Sequence, residues 1–260
     1  MSLIQSYHSK DFGIVCSDGR VSVRHPDGHY AARPKETARK FKVLRASPGL
    51  VLAGSSSVSK FLDFSVYDAV RRYVEKFPEA SFDQVAGIIV PTVHAAALSY
   101  AKEVGKSAGK AYRFLVSKFL RARSARPKLF DSTDRVNLNL LGYDRERRRV
   151  RNRIFCCTDR SSDEWEHDSG VAIIGDVDSE EGIAAGDKLL ELIGRDRTPQ
   201  AVAKAMLSLA AEISASHPET IGPPYSFHLI TKGASGGSSL IEEQFRRSLA
   251  ISGKLRPAGA

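Results

Sequence analysis

Three groups of residues have types and spacings that chemistry could use. His25 and His29 stand four apart across Pro26-Asp27-Gly28; no further ligands flank them, and a solvated turn is the preferred reading. Cys156 and Cys157 are adjacent, which is no ordinary bridge, and no companion pair stands at zinc-ligand spacing. The third group begins at residue two. Small Ser2 behind Met1 permits removal of the initiator, leaving a serine with a free α-amino group. Such an amine has a reference pKa near ~7.7 and can accept the hydroxyl proton of its own residue, so that nucleophile and base form one unit. That chemistry needs a positive group beside the hydroxyl, a carboxylate to hold it, and a backbone N–H for the developing oxyanion. Rossmann, Walker, zincin and G-x-S-x-G signatures are absent, and neither cofactor nor metal is expected.

The elements that would position these groups follow from periodicity and punctuation. Ser2-Leu3-Ile4 opens a strand, Phe12 to Cys16 is an apolar run before Ser17-Asp18-Gly19, and Val21 and Val23 alternate with polar residues. Phe41 to Leu44 and Leu50 to Leu52 flank Ser47-Pro48-Gly49 as a hairpin. Phe61, Phe64, Ala69, Val70, Tyr73 and Val74 recur at helical spacing and stop near Phe77-Pro78. A second helix, capped by Ser81, runs through Val85, Ile89 and Val93 to about Val104, with Pro91 predicted to kink it. Strands are expected from Val136 to Tyr143, Val150 to Cys157 and Val171 to Ile174, then helices over Asp178 to Gly194 and Thr198 to Ala215, then a strand from Tyr225 to Thr231. Strands, two helices, three strands, two helices and a strand, without βαβ alternation, describe an α+β protein. Two antiparallel sheets, each covered by a helix pair, bury every apolar face.

With these elements in place, the residues around the turns resemble the proteasome β-subunit family of N-terminal nucleophile hydrolases. The resemblance rests on Ser2-Leu3-Ile4, on Phe12 to Arg20, on Ala38-Arg39-Lys40-Phe41-Lys42-Val43, and on Leu52-Ala53-Gly54-Ser55. Ser2 to Asp18 is sixteen positions and Lys40 to Gly54 fourteen, both as in the family. Leu141-Gly142-Tyr143-Asp144 is similar to its Gly-Tyr strand end. The fold implied is the four-layer αββα sandwich, over residues 1–232 as a single domain with a basic insertion at about 105–131. Residues 233–260 read as a flexible joint, Gly233 to Ser239, and a short amphipathic helix carrying Leu240, Ile241, Phe245 and Leu249.

Carried over, the resemblance implies Ser2 as nucleophile and base, Lys40 lowering the hydroxyl pKa, Asp18 orienting Lys40, the Gly54 N–H in the oxyanion hole, and Leu52 lining the substrate pocket. Arg20 is the family's arginine two after the aspartate. Taken alone, Asp18 and Arg20 also suit a closed turn, Lys40 a surface lysine, and Gly54 a backbone requirement. The chain departs from the family at Ile174-Gly175-Asp176-Val177, where Asp176 stands in place of a serine that supports the terminal amine. An ion pair there would raise the amine's pKa and weaken it as a base. Glu219 is the nearest acid to a second expected support, one position away.

The 260 residues carry 39 basic and 30 acidic side chains, a net charge of +9, with 42% apolar residues. That is too apolar for a disordered chain, and no apolar run approaches a membrane span. The charge is uneven. Lys102 to Lys128 is +8 and Asp144 to Arg153 is +4, leaving the remainder at −3. Three cysteines and no secretory signal at the start give the expectation of a reducing cytoplasm. The expected activity is cleavage of amide bonds in peptides or unfolded proteins, in a homo-oligomeric ring or arc; a small-molecule amidase differs only in pocket shape. The alternative is a catalytically silent scaffold or binding module of the same fold. It would use its basic segments, Lys102 to Lys128 foremost, for nucleic acid or an acidic partner.

Overall fold

The structure is a computed structural model. It describes residues 3–24, 30–37, 40–56, 66–96, 136–157, 162–167, 169–175 and 179–231. Ser2, Asp176, the basic stretch Lys102 to Lys128, His25, His29 and the chain from 232 onward lie outside the described residues.

Strands β1 (Leu3–His8), β2 (Phe12–Asp18), β10 (Gly170–Gly175) and β11 (Tyr225–Thr231) form one antiparallel sheet in the order β10-β1-β2-β11. Strands β5 (Phe41–Arg45), β6 (Leu50–Ser56), β7 (Val136–Asp144), β8 (Arg149–Cys157) and β9 (Ser162–His167) form a second, in sequential order. β3 (Arg20–Arg24) and β4 (Tyr30–Thr37) pair as a separate ribbon. Of these, β4 and β9 have no counterpart in the sequence reading.

Four helices among the described residues supply the outer layers. α1 (Tyr67–Lys76) and α2 (82–96) pack Val70, Val74, Phe82, Val85, Ile89 and Val93 against Leu52, Leu138, Leu140 and Phe155 of the second sheet. α3 (Ser179–Ile193) and α4 (Pro199–Ser216) pack Leu189, Ile193, Val202, Met206 and Leu209 against Tyr7, Ile14, Cys16, Phe227 and Leu229 of the first. The two sheets face each other through Ile4, Val15, Val51, Ala53, Leu141, Val150 and Ile230. The cores therefore alternate helix pair, sheet, sheet, helix pair, the layering expected from the element order.

The predicted helix boundaries have local causes. Ser81 Oγ accepts from the Gln84 N–H at 3.3 Å while Gln84 Oε1 accepts from the Ser81 N–H at 2.8 Å, a reciprocal cap for α2. α2 continues through Pro91 to 96. Thr198 caps α4, accepting from the Ala201 N–H at 3.3 Å with Pro199 in the first turn. Gly194 ends α3 at φ +58°, a conformation that favours glycine. Within the inter-sheet layer the Asn139 and Asn152 side-chain amides donate to Ser6 Oγ at 2.6 and 3.1 Å, tying the second sheet to β1. Among the described residues no helix is long and apolar enough to cross a membrane.

Candidate active site

β2 ends at Asp18, beside the first residues of β1 and the first residue of β11, with Tyr225 opposite Asp18 in the ladder. The Asp18 side chain is completely buried. Its Oδ1 accepts from Lys40 Nζ at 2.6 Å and from the Leu3 N–H at 2.7 Å; its Oδ2 accepts from the Arg20 N–H at 3.2 Å. Three donors, one of them a cation, offset the cost of burying the carboxylate. Its charge reaches its neighbours. Burial, then the Asp18 charge, pushes the Cys16 thiol far up. Burial is likewise the main cause that raises the Tyr225 phenol, with Asp18 adding to it.

Lys40 comes from the residue just before β5, with its side chain 11% exposed. Its carbonyl oxygen accepts from the Gly54 N–H at 3.1 Å and from the Tyr67 hydroxyl at 3.1 Å. Tyr67, 2% exposed at the start of α1, therefore fixes the backbone that carries Lys40. Sequence reasoning missed Tyr67, because at helical spacing it reads as one more apolar contact. Gly54 is required by space. A Cβ there would stand 2.6 Å from Leu138 Cδ2 and 2.9 Å from the Tyr67 hydroxyl oxygen.

The structure thus gathers Asp18, Lys40, Gly54 and the amide of Leu3, to which Ser2 is bonded in the chain. Arg20 lies near them. A Cβ on Gly222 would meet its guanidinium carbon at 2.5 Å, so the side chain lies against Gly222. Glu219 projects from the 217–222 turn as an exposed residue. Leu52 is fully buried between the second sheet and α1 and α2.

Of the arginine-rich turn, most charge is already matched. Arg151, 1% exposed, donates to both oxygens of Asp83 at 2.8 and 2.9 Å, both of Glu166 at 2.5 and 2.7 Å, and to Asp144 at 2.7 Å. Its guanidinium also lies over the Phe82 ring at 4.6 Å. Arg153 pairs with Asp83 and Glu166, and Arg145 with Glu79 at 2.6 Å. The Arg151 hydrogen bonds hold Glu166 at a pKa of about 2 and lower Asp83 as well. None of Cys16, Cys156 and Cys157 forms a disulfide. Among the described residues no three His, Cys, Asp or Glu side chains stand where they could hold a metal ion.

No protein-family model matches the chain, and no curated protein matches it. Among solved structures it is similar to a Gly-1 mutant of Anbu from Hyphomicrobium sp. strain MC1, at 13% identity and a TM-score of 0.56, with 100% of each chain covered. At that identity the likeness is one of fold, and the fold is proteasome-like.

Proposed function

We propose that this chain is a proteasome-like N-terminal nucleophile hydrolase that cleaves amide bonds in peptides or unfolded proteins through Ser2, exposed by removal of Met1. The observation that carries the reading is the buried Asp18 carboxylate, shared between Lys40 Nζ and the Leu3 amide. A lysine held there is worth its burial if its charge serves a group attached to Leu3, and that group is Ser2.

In this reading the Ser2 α-amine takes the proton from its own hydroxyl as oxygen attacks the substrate carbonyl, while the Lys40 ammonium stabilises the developing alkoxide. The C–N bond of the tetrahedral intermediate then breaks. The amine leaving group takes the proton back from the α-ammonium, and water hydrolyses the Ser2 ester by the same relay. The Gly54 N–H is the proposed oxyanion donor, and the substrate oxygen would compete for it with Lys40 O, its partner in this structure. Asp176, beside the amine in the family's pattern, would tune that base. Glu219 and Arg20 are accessory, and Leu52, fully buried in this structure, would meet substrate only where a pocket opens onto it. Assembly into a ring or arc, and a reducing cytoplasmic setting, belong to the same proposal.

The Gly54 hydrogen bond favours one second reading, a catalytically silent member of the fold acting as scaffold or binding module, with Lys102 to Lys128 as its basic surface. A peptide epoxyketone separates the two, because ring closure on it needs both the amine and the hydroxyl of one terminal residue. The hydrolase forms a covalent adduct lost in Ser2→Ala and Lys40→Ala. The silent protein forms none and shows salt-sensitive retention on polyanions.

A further inference from the structure

At the end of the sandwich opposite Asp18 lies a cleft of about 400 Å³ between the β1–β2 turn and the α3–α4 turn, floored by Tyr7, Phe12 and Leu190 and edged by Asp11, Gly170 and Arg197. We infer that it receives the chain's own C-terminal stretch, residues 240–249, docked as an amphipathic helix.

The cleft is built for apolar side chains more than for a small polar ligand. Its charged groups, Asp11 and Arg197, are exposed, and the neighbouring Ser9 hydroxyl is engaged by the Asp11 and Phe12 N–H groups at 3.4 and 3.3 Å. Its wall continues along α3. Leu190 is 44% exposed and Ile183, two turns earlier on the same face, is 67% exposed. Between them Gly186 has open space where a Cβ would stand, so another helix can approach closely. Two large aliphatic side chains left in contact with water on one helix face favour burial against another apolar surface.

The chain itself indicates the occupant. β11 ends at Thr231, and Thr231 lies opposite Phe12 in the ladder, so the chain leaves the sheet beside the cleft floor. Residues 232–239 include three glycines and three serines. As a flexible coil they reach about 16 Å, more than a cleft of this volume is wide. Next come Leu240, Ile241, Phe245 and Leu249, which helical spacing would place on one half of a helix, with Glu242, Glu243, Arg246 and Arg247 on the other. Arg197 has no ion-pair partner among the described residues, and Glu242 or Glu243 supplies the missing carboxylate. The docked helix would brace the far end of the β1–β2 hairpin, and this holds whether or not Ser2 is a nucleophile.

Hydrogen exchange on the full chain, read by mass spectrometry, tests it with Leu190→Arg, Phe245→Arg and the double variant. Each single change is expected to speed exchange about tenfold both at residues 187–193 and at 240–249, with β7 and β8 unaffected and the double variant no faster than either single. Unchanged protection of 187–193 in Phe245→Arg overturns the proposal. So does protection of 240–249 that falls on dilution, since the segment would then sit on a second copy.

Discussion

Asp18 receives a lysine ammonium and two backbone N–H groups with no exposure to solvent. Removing one partner of such a pair is costly because the other stays buried. Lys40→Ala is expected to destabilise the fold by about 3 kcal/mol in denaturant titration, because the Asp18 carboxylate stays buried without its cation. Tyr67→Phe removes one hydroxyl whose oxygen lies 3.1 Å from Lys40 O. It should cost about 1 kcal/mol, leave the fold intact, and slow epoxyketone labelling by loosening the backbone that aims Lys40. A Tyr67→Phe protein that labels at the unaltered rate would remove Tyr67 from the site while leaving Lys40 in it. The residues of this site were legible where spacing along the chain matched a known pattern, as for Asp18, Lys40 and Gly54. Tyr67 was not, since a hydroxyl that reaches two strands away leaves no trace in helical periodicity.

At the scale of elements, strands that bury alternating apolar residues announced themselves, and those held by charge did not. β9 reads Ser-Asp-Glu-Trp-Glu-His, with an exposed Trp165. Beyond its backbone ladder with β8, its side-chain fastening comes from Glu166, bonded to Arg151 and Arg153. β4 contains Pro34 and little alternation, and its partner is a ribbon strand outside both large sheets. The same charge pairing changes the meaning of the arginine-rich turn. Arg145, Arg151 and Arg153 meet Glu79, Asp83 and Glu166, acids from other elements that are invisible in a local count, and Arg151 also meets the local Asp144. Because Glu166 titrates at about 2 in the folded chain against an ordinary value of 4.5, its contribution is complete above about pH 4.5. It is lost as pH falls toward about 2. Glu166→Gln should therefore lower stability at neutral pH by about 1–3 kcal/mol and flatten the acid limb of a stability-against-pH curve. Gly142→Ala addresses packing. Its Cβ would stand 2.4 Å from Leu50 Cδ1 and 3.2 Å from Gly49 O, so a loss of about 1–3 kcal/mol is expected in thermal or denaturant unfolding.

For the molecule as a whole, the element order was enough to anticipate the helix–sheet–sheet–helix layering, since few other arrangements bury both faces of each sheet. The likeness in fold to the Anbu mutant structure agrees with that layering at 13% identity, too low to carry activity with it. The net charge of +9 divides into an ion-paired turn and the stretch Lys102 to Lys128 outside the described residues. The candidate chemistry depends on one terminal residue. The most direct test is the intact mass of the purified full-length protein after exposure to a peptide epoxyketone. The account predicts a chain lacking Met1 and carrying one inhibitor, with no adduct on Ser2→Ala; a chain that keeps Met1, or that loses it and remains unmodified, would contradict it.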